Sequence, residues 1–198
     1  MNKEFSSLKE LHEYYAENND CFLKKSATQP VYETTLPSSG LLFIGEAPGK
    51  KEDLEGKPFV GSAGKFLDEL LKSIGYSRQE VYVTNVVKYR PPNNRDPNDD
   101  EKKACRLWLN DELLFIKPKV IVTLGRHALA RFLPNSTISK SHGRLLNHKS
   151  GIPVFALYHP AVALYNGSYR EILFNDMKNL KDFLDKENEK EGKQLKIF

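Results

Sequence analysis

LLFIGEAPGKKED, residues 41–53, is the stretch on which the reading of this chain turns. Its first half, LLFIG at 41–45, is a strand-length apolar run; its second half is a glycine-flanked turn carrying an acid, Glu46. Three further runs of similar length follow: VYVTNVV at 81–87, VIVTLG at 120–125 and VFALY at 154–158, mostly β-branched or aromatic. Helical spacing fills the gaps between them. In 62–74 Phe66, Leu67, Leu70, Leu71 and Ile74 share a face, in 98–116 Ala104, Leu107, Trp108, Leu113 and Ile116 stand among charges, and 126–133 makes a short helix. The last of these patterns, 169–184, aligns Ile172, Leu173, Met177, Leu180 and Leu184. Before the first strand, Lys3 to Asn18 reads as an amphipathic helix through Phe5, Leu8, Leu11, Tyr14 and Tyr15, and 24–40 as a loop. Strands alternating with helices imply right-handed crossovers and a parallel sheet covered on both faces, with ligands bound beyond the carboxyl ends of the strands.

Composition bounds the function. The chain has 198 residues, enough for one well-buried α/β domain of residues 1–185. Thirty Lys and Arg against 26 Asp and Glu give +4, a mild excess that permits a nucleic-acid partner without demanding one. Two cysteines, no apolar run near 18 residues and no apolar leader point to the cytoplasm and exclude a disulfide scaffold and a membrane span. The glycines follow neither the dinucleotide nor the Walker spacing, so no nucleotide cofactor is indicated.

The polar residues gather after the strands. GEAPGKKED at 45–53 and GKPFVGSAG at 56–64 bring backbone N–H groups, Glu46 and Phe59 together; for GEAPG alone, an ordinary βα turn with Glu46 as a helix cap is the plainer alternative. Asn85 is a carboxamide in a buried strand, costly unless bonded by about 1–3 kcal/mol. YRPPNNRDP at 89–97 follows, with Arg90, Asn94 and Arg95 suited to phosphates on a proline-stiffened loop. YHPAVAL at 158–164 places His159 beside an apolar loop ending in Leu164, of the kind that wedges a base step apart.

In this order, these four motifs resemble the family 4 uracil-DNA glycosylases, and the resemblance runs from about Cys21 to Leu184. It implies a three-layer α/β/α sandwich on a four-stranded parallel sheet. It implies that Phe59 stacks on a flipped uracil, that Asn85 pairs with the N3–H and O4 edge, and that His159 donates toward O2. Glu46 would position water and offset charge on the sugar, Glu52 would exclude the thymine methyl, and Ala47 and Asn94 would line the pocket or its loop. The partner is then uracil-containing DNA, contacted by Arg90, Asn94, Arg95 and Leu164, with Lys50 and Lys51 adding positive charge. The expected activity is monofunctional hydrolysis of the N-glycosidic bond by a monomer. Alternatives are another deaminated base, such as hypoxanthine, or a non-catalytic lesion-binding module.

Two departures from the family stand out. Its four cluster-ligating cysteines match Asn18, Cys21, Tyr89 and Cys105 here, so the iron–sulfur cluster is expected to be lost and Cys21 and Cys105 to be vestiges of it. Where an arginine often follows the wedge leucines, this chain has Tyr165. Residues 186–198 read as a charged flexible tail whose end, QLKIF at Gln194–Phe198, resembles a bacterial sliding-clamp peptide.

Overall fold

The computed structural model describes residues 4–194. All four expected strands form: β1 (Leu41–Gly45), β2 (Tyr82–Asn85), β3 (Val120–Leu124) and, after a short β4 (Arg144–Leu146), β5 (Val154–Leu157). The order across the sheet is β2-β1-β3-β5-β4, with the first four strands parallel. The sheet therefore has five strands rather than four. β4 lies antiparallel to β5 at the edge, and its three residues are exposed or half-buried, so they leave no apolar run in the sequence.

The helices are α1 (Leu8–Asn18), α2 (Lys50–Glu55), α3 (Ser62–Ser73), α4 (Asp99–Ala104), α5 (Arg106–Ile116), α6 (Arg126–Phe132), α7 (Ile138–Ser141), α8 (Val162–Tyr165) and α9 (Ser168–Gln194). Ser7 caps α1, its side chain accepting from the Glu10 N–H, so that helix starts later than its apolar spacing suggests. The 98–116 segment is two helices that meet at Cys105. The tail expected from residue 186 begins inside α9, which runs on to Gln194. Its Lys, Glu and Gln are strong helix formers and need no core to extend the helix. The clamp-like peptide Gln194–Phe198 lies, after its first residue, outside the described residues.

Alternation along the strands makes the three layers. Phe43, Val83, Val122 and Phe155 face α3 and α9, where Phe66, Leu70, Met177 and Leu180 meet them. Leu42, Ile44, Tyr82, Ile121 and Val154 face the opposite layer and pack with Leu11, Trp108 and Ala128. Each large side chain so buried stabilises the fold by about 1.5–3 kcal/mol. The in-register pair at the carboxyl ends of the two neighbouring strands is Gly45 with Asn85, and most of the residues singled out from sequence collect around it.

Candidate active site

A cavity of about 490 Å³ opens at this edge of the sheet. Glu46, Ala47, Glu52, Phe59, Asn85, Asn94, Arg95, His159 and Leu164 all line it, so nine of the residues singled out from sequence converge on one space. Arg90 is not among the lining residues. Its Nε donates to Asn94 Oδ1 at 2.7 Å and braces the loop from behind. Arg95 reaches the cavity, but its guanidinium is forked onto Glu101 at 2.8 and 2.6 Å, which diverts it from a free phosphate contact.

At the floor, Asn85 is 1% exposed, and its Oδ1 has no hydrogen-bond partner among the described residues. A buried carbonyl oxygen left unpaired costs about 1–3 kcal/mol, which a ligand N–H would recover. Gly45 makes room for it. A Cβ there would stand 2.5 Å from Asn85 Oδ1 and 2.6 Å from Phe59 Cζ. Phe59 sits beside them with a left-handed backbone, φ 56°, an outlier for an aromatic residue. Arg78 fixes that conformation by donating to the carbonyls of Phe59 at 3.3 Å and Gly64 at 3.0 Å, while α3 begins immediately against it.

His159 follows β5, its ring centroid 5.7 Å from that of Phe59. Its Nδ1 accepts from the Ala161 N–H at 3.2 Å, so in the neutral ring the proton sits on Nε2, a donor. Burial pushes its pKa down to about 4, against a smaller opposing pull from the Glu52 carboxylate, and the ring is neutral at physiological pH. Glu52 is buried and accepts from the Gly61 N–H at 2.7 Å, tying the first glycine-rich motif to the second. Glu46 lies at the mouth. Its pKa is pushed up to about 7, first by burial and then by the charge of Asp96, with Arg126 and Lys102 pulling the other way.

Sequence reasoning missed Asp96, Arg126 and His127, which surround Glu46. The signal was present: GRHA at 125–128 follows β3 directly, at the third of four strand ends whose polar residues matter. It also missed α2 and α8. The segment expected to act as a wedge is a short helix rather than a loop, with Leu164 at 47% and Tyr165 at 91% exposure on the cavity rim.

Residues 33–184 match the family model described as the uracil DNA glycosylase superfamily. The chain is 43% identical over 185 residues to the type-4 uracil-DNA glycosylase of Sulfurisphaera tokodaii, covering 89% of this chain and 84% of that protein. The chain belongs to the type-4 uracil-DNA glycosylases. The type-4 protein of Saccharolobus solfataricus is 46% identical over 153 residues, 73% of this chain and 71% of that one. That of Archaeoglobus fulgidus is 43% identical over 175 residues, 84% and 87%.

The four positions matched to the cluster ligands of type-4 glycosylases do not fit such a group here. Cys21 and Cys105 are buried free thiols that interact with each other, which pulls the Cys21 thiol down and pushes the Cys105 thiol up, while Cys21 Sγ also reaches the Glu101 carbonyl at 3.9 Å. Tyr89 is buried at 1% exposure, its ring edge-on to Trp108 at 6.1 Å and its hydroxyl on Ala16 O at 3.4 Å. Asn18 is exposed and turns its amide to Tyr14 O. Neighbouring Asn19 closes the join, accepting from Cys21 N at 2.8 Å and donating to Ala104 O at 2.9 Å. An aromatic ring and backbone bonds occupy what four thiolates would need.

Proposed function

We propose that this chain releases uracil from DNA by hydrolysing its N-glycosidic bond, as the type-4 name of its relatives indicates, and that it does so without an iron–sulfur cluster. The observation that carries the reading is the unpaired Asn85 Oδ1 at the floor of a cavity walled by Phe59 and His159. The target base must leave the stack to reach this depth, at a cost of a few kcal/mol. Leu164, on the rim, fills the space it vacates, and Phe59 stacks on the extruded ring. Asn85 then accepts from N3–H and donates to O4. Cytosine presents the reverse pattern and would leave both groups unpaired in a dry pocket, a discrimination of about 10⁴ or more. Glu52, held on Gly61, stands where a methyl on C5 would have to fit.

Cleavage leaves negative charge on the pyrimidine and positive charge on the sugar. His159 donates from Nε2 toward O2 as that charge develops, and because the ring starts neutral it keeps its proton through the step. Such a donor contributes about 10²–10³ in rate. The ionised form of Glu46 faces the sugar, attracts the water and offsets the oxocarbenium charge.

Single-turnover release from matched uracil, hypoxanthine and thymine oligonucleotides tests this. The expected result is release of uracil alone, lowered at least a hundredfold in Asn85→Ala and in His159→Ala. No uracil release, or variants equal to the parent, would overturn the reading. The same active preparation is expected to contain no stoichiometric iron or sulfide.

A further inference from the structure

The uracil-facing residues leave one group of side chains at the cavity mouth without a role. Asp96, on the loop after β2, lines the cavity beside Glu46, and the first two residues of α6 reach it from the end of β3. Arg126 Nη2 lies 2.5 Å from Asp96 Oδ2. His127 Nε2 stands 3.1 Å from the same oxygen, 3.7 Å from Glu46 Oε2 and 3.0 Å from Arg126 Nε. The arginine N–H and the aspartate oxygen ask opposite proton states of that nitrogen, so His127 bonds whichever its own proton allows. Three strand ends thus deliver two carboxyl groups and two bases into contact, and the arginine has gone to Asp96 rather than to Glu46.

We propose that Asp96, clamped by Arg126 and His127, is a positioning residue for Glu46: the two carboxyl groups act as a pair, with Asp96 engaging the cations of α6 so that Glu46 stays directed at the sugar and its water. This rests on the glycosylase reading of the same cavity. Two consequences follow from Coulomb's law alone. Removing the Asp96 charge favours the ionised form of Glu46 at lower pH, and it frees Arg126 to capture Glu46 and turn it from the substrate. Removing the Arg126 charge has the opposite effect on ionisation. The other charged or titratable groups toward Glu46 are Lys102 of α4 and, around the cavity, Lys50, Lys51 and Glu52 of α2, Arg95 on the loop after β2 and His159 after β5, and neither variant changes them.

The test is the pH profile of single-turnover uracil release for the full chain, Asp96→Asn and Arg126→Gln. Asp96 and Arg126 are both more than half exposed, so neither substitution opens a core. With Glu46 near 7, the parent runs at about a tenth of its plateau at pH 6. Asp96→Asn should keep at least about threefold more of its own plateau at pH 6, while that plateau falls about tenfold with KM for DNA unchanged. Arg126→Gln should move the acid limb to higher pH. A merely structural Asp96 would lower activity at every pH alike and leave the limb in place, and that result, or limbs moving in the same direction, would overturn the proposal. If the parent releases no uracil, the glycosylase reading fails; if it does and the limbs stay fixed, only the pairing fails.

Discussion

Gly45 shows how one missing side chain lets Asn85 and Phe59 pack together at the cavity floor. Its place in the GEAPG turn reads from sequence as a close backbone approach to a ligand, but the structure gives it a different task. Asn85 and Phe59 both lean over it, and a single added carbon would collide with each at 2.5–2.6 Å. Its backbone needs no left-handed φ, so the constraint is space alone. Gly45→Ala should therefore displace the carboxamide or the ring, at a stability cost of about 1–3 kcal/mol for overpacking. Uracil release should fall a hundredfold or more, because a misplaced group about 1 Å away costs that much. Single-turnover kinetics beside a thermal melt check it, and full activity in a folded Gly45→Ala would refute it. Phe59 itself was legible as an aromatic in a glycine-rich motif. Its left-handed backbone was not, since it depends on Arg78, nineteen residues later, holding the Phe59 carbonyl.

Among the elements, the four buried strands were legible because each is a short, largely β-branched or aromatic run bounded by turn residues, and α3 and the first half of α9 because their apolar positions keep helical spacing. The elements that were missed lack any such signal: β4 is three residues at an edge, α2 is polar but for an exposed Leu54, and α7 and α8 are one turn each. The bond between β2 and α5 was equally invisible. Lys88 looks like a surface lysine at a strand end, yet it is fully buried, with Nζ 2.5 Å from Glu112 Oε2 and further bonds to Thr84 Oγ1 and the Asn85 carbonyl. Glu112 in turn accepts from Thr84 and from Tyr82, which also meets His12. This network holds the backbone of Asn85 from the side away from the cavity. Breaking a buried pair by removing one partner leaves an uncompensated charge, so Lys88→Met and Glu112→Leu should each lose about 3–5 kcal/mol. The double variant should be markedly more stable than the sum of the two losses implies. Urea unfolding of all four proteins measures the coupling, and simple additivity would show that the pair contributes nothing as a pair.

Across the whole molecule, His12, His159 and Glu46 are the groups whose burial moves them furthest near neutrality, and they dominate how stability follows pH, with His148, also lowered, adding in the sense of the two histidines. His12 and His159 are both held neutral by burial, with pKa values pushed down to about 4. Unfolding returns each to the ordinary 6.5, so below that pH the unfolded chain takes up protons that the folded chain refuses, and stability falls as the pH falls from 6.5 toward 4. Glu46, pushed up to about 7 from its ordinary 4.5, acts in the opposite sense. Between those values the folded chain keeps a proton that the unfolded chain releases, so the contribution of Glu46 grows as the pH falls. Near pH 5.5 two histidines oppose one glutamic acid, and net uptake on unfolding is close to one proton, about 1 kcal/mol lost per pH unit. Glu46→Gln removes the opposing group, and the dependence should become about twice as steep between pH 6 and 5. Urea unfolding free energies at half-unit steps provide the comparison, and parallel slopes for the two proteins would mean that Glu46 titrates like an exposed carboxylate. The same experiment bears on the proposed catalysis, because burial that makes Glu46 costly to ionise in the fold would also keep its charge effective beside the proposed sugar site.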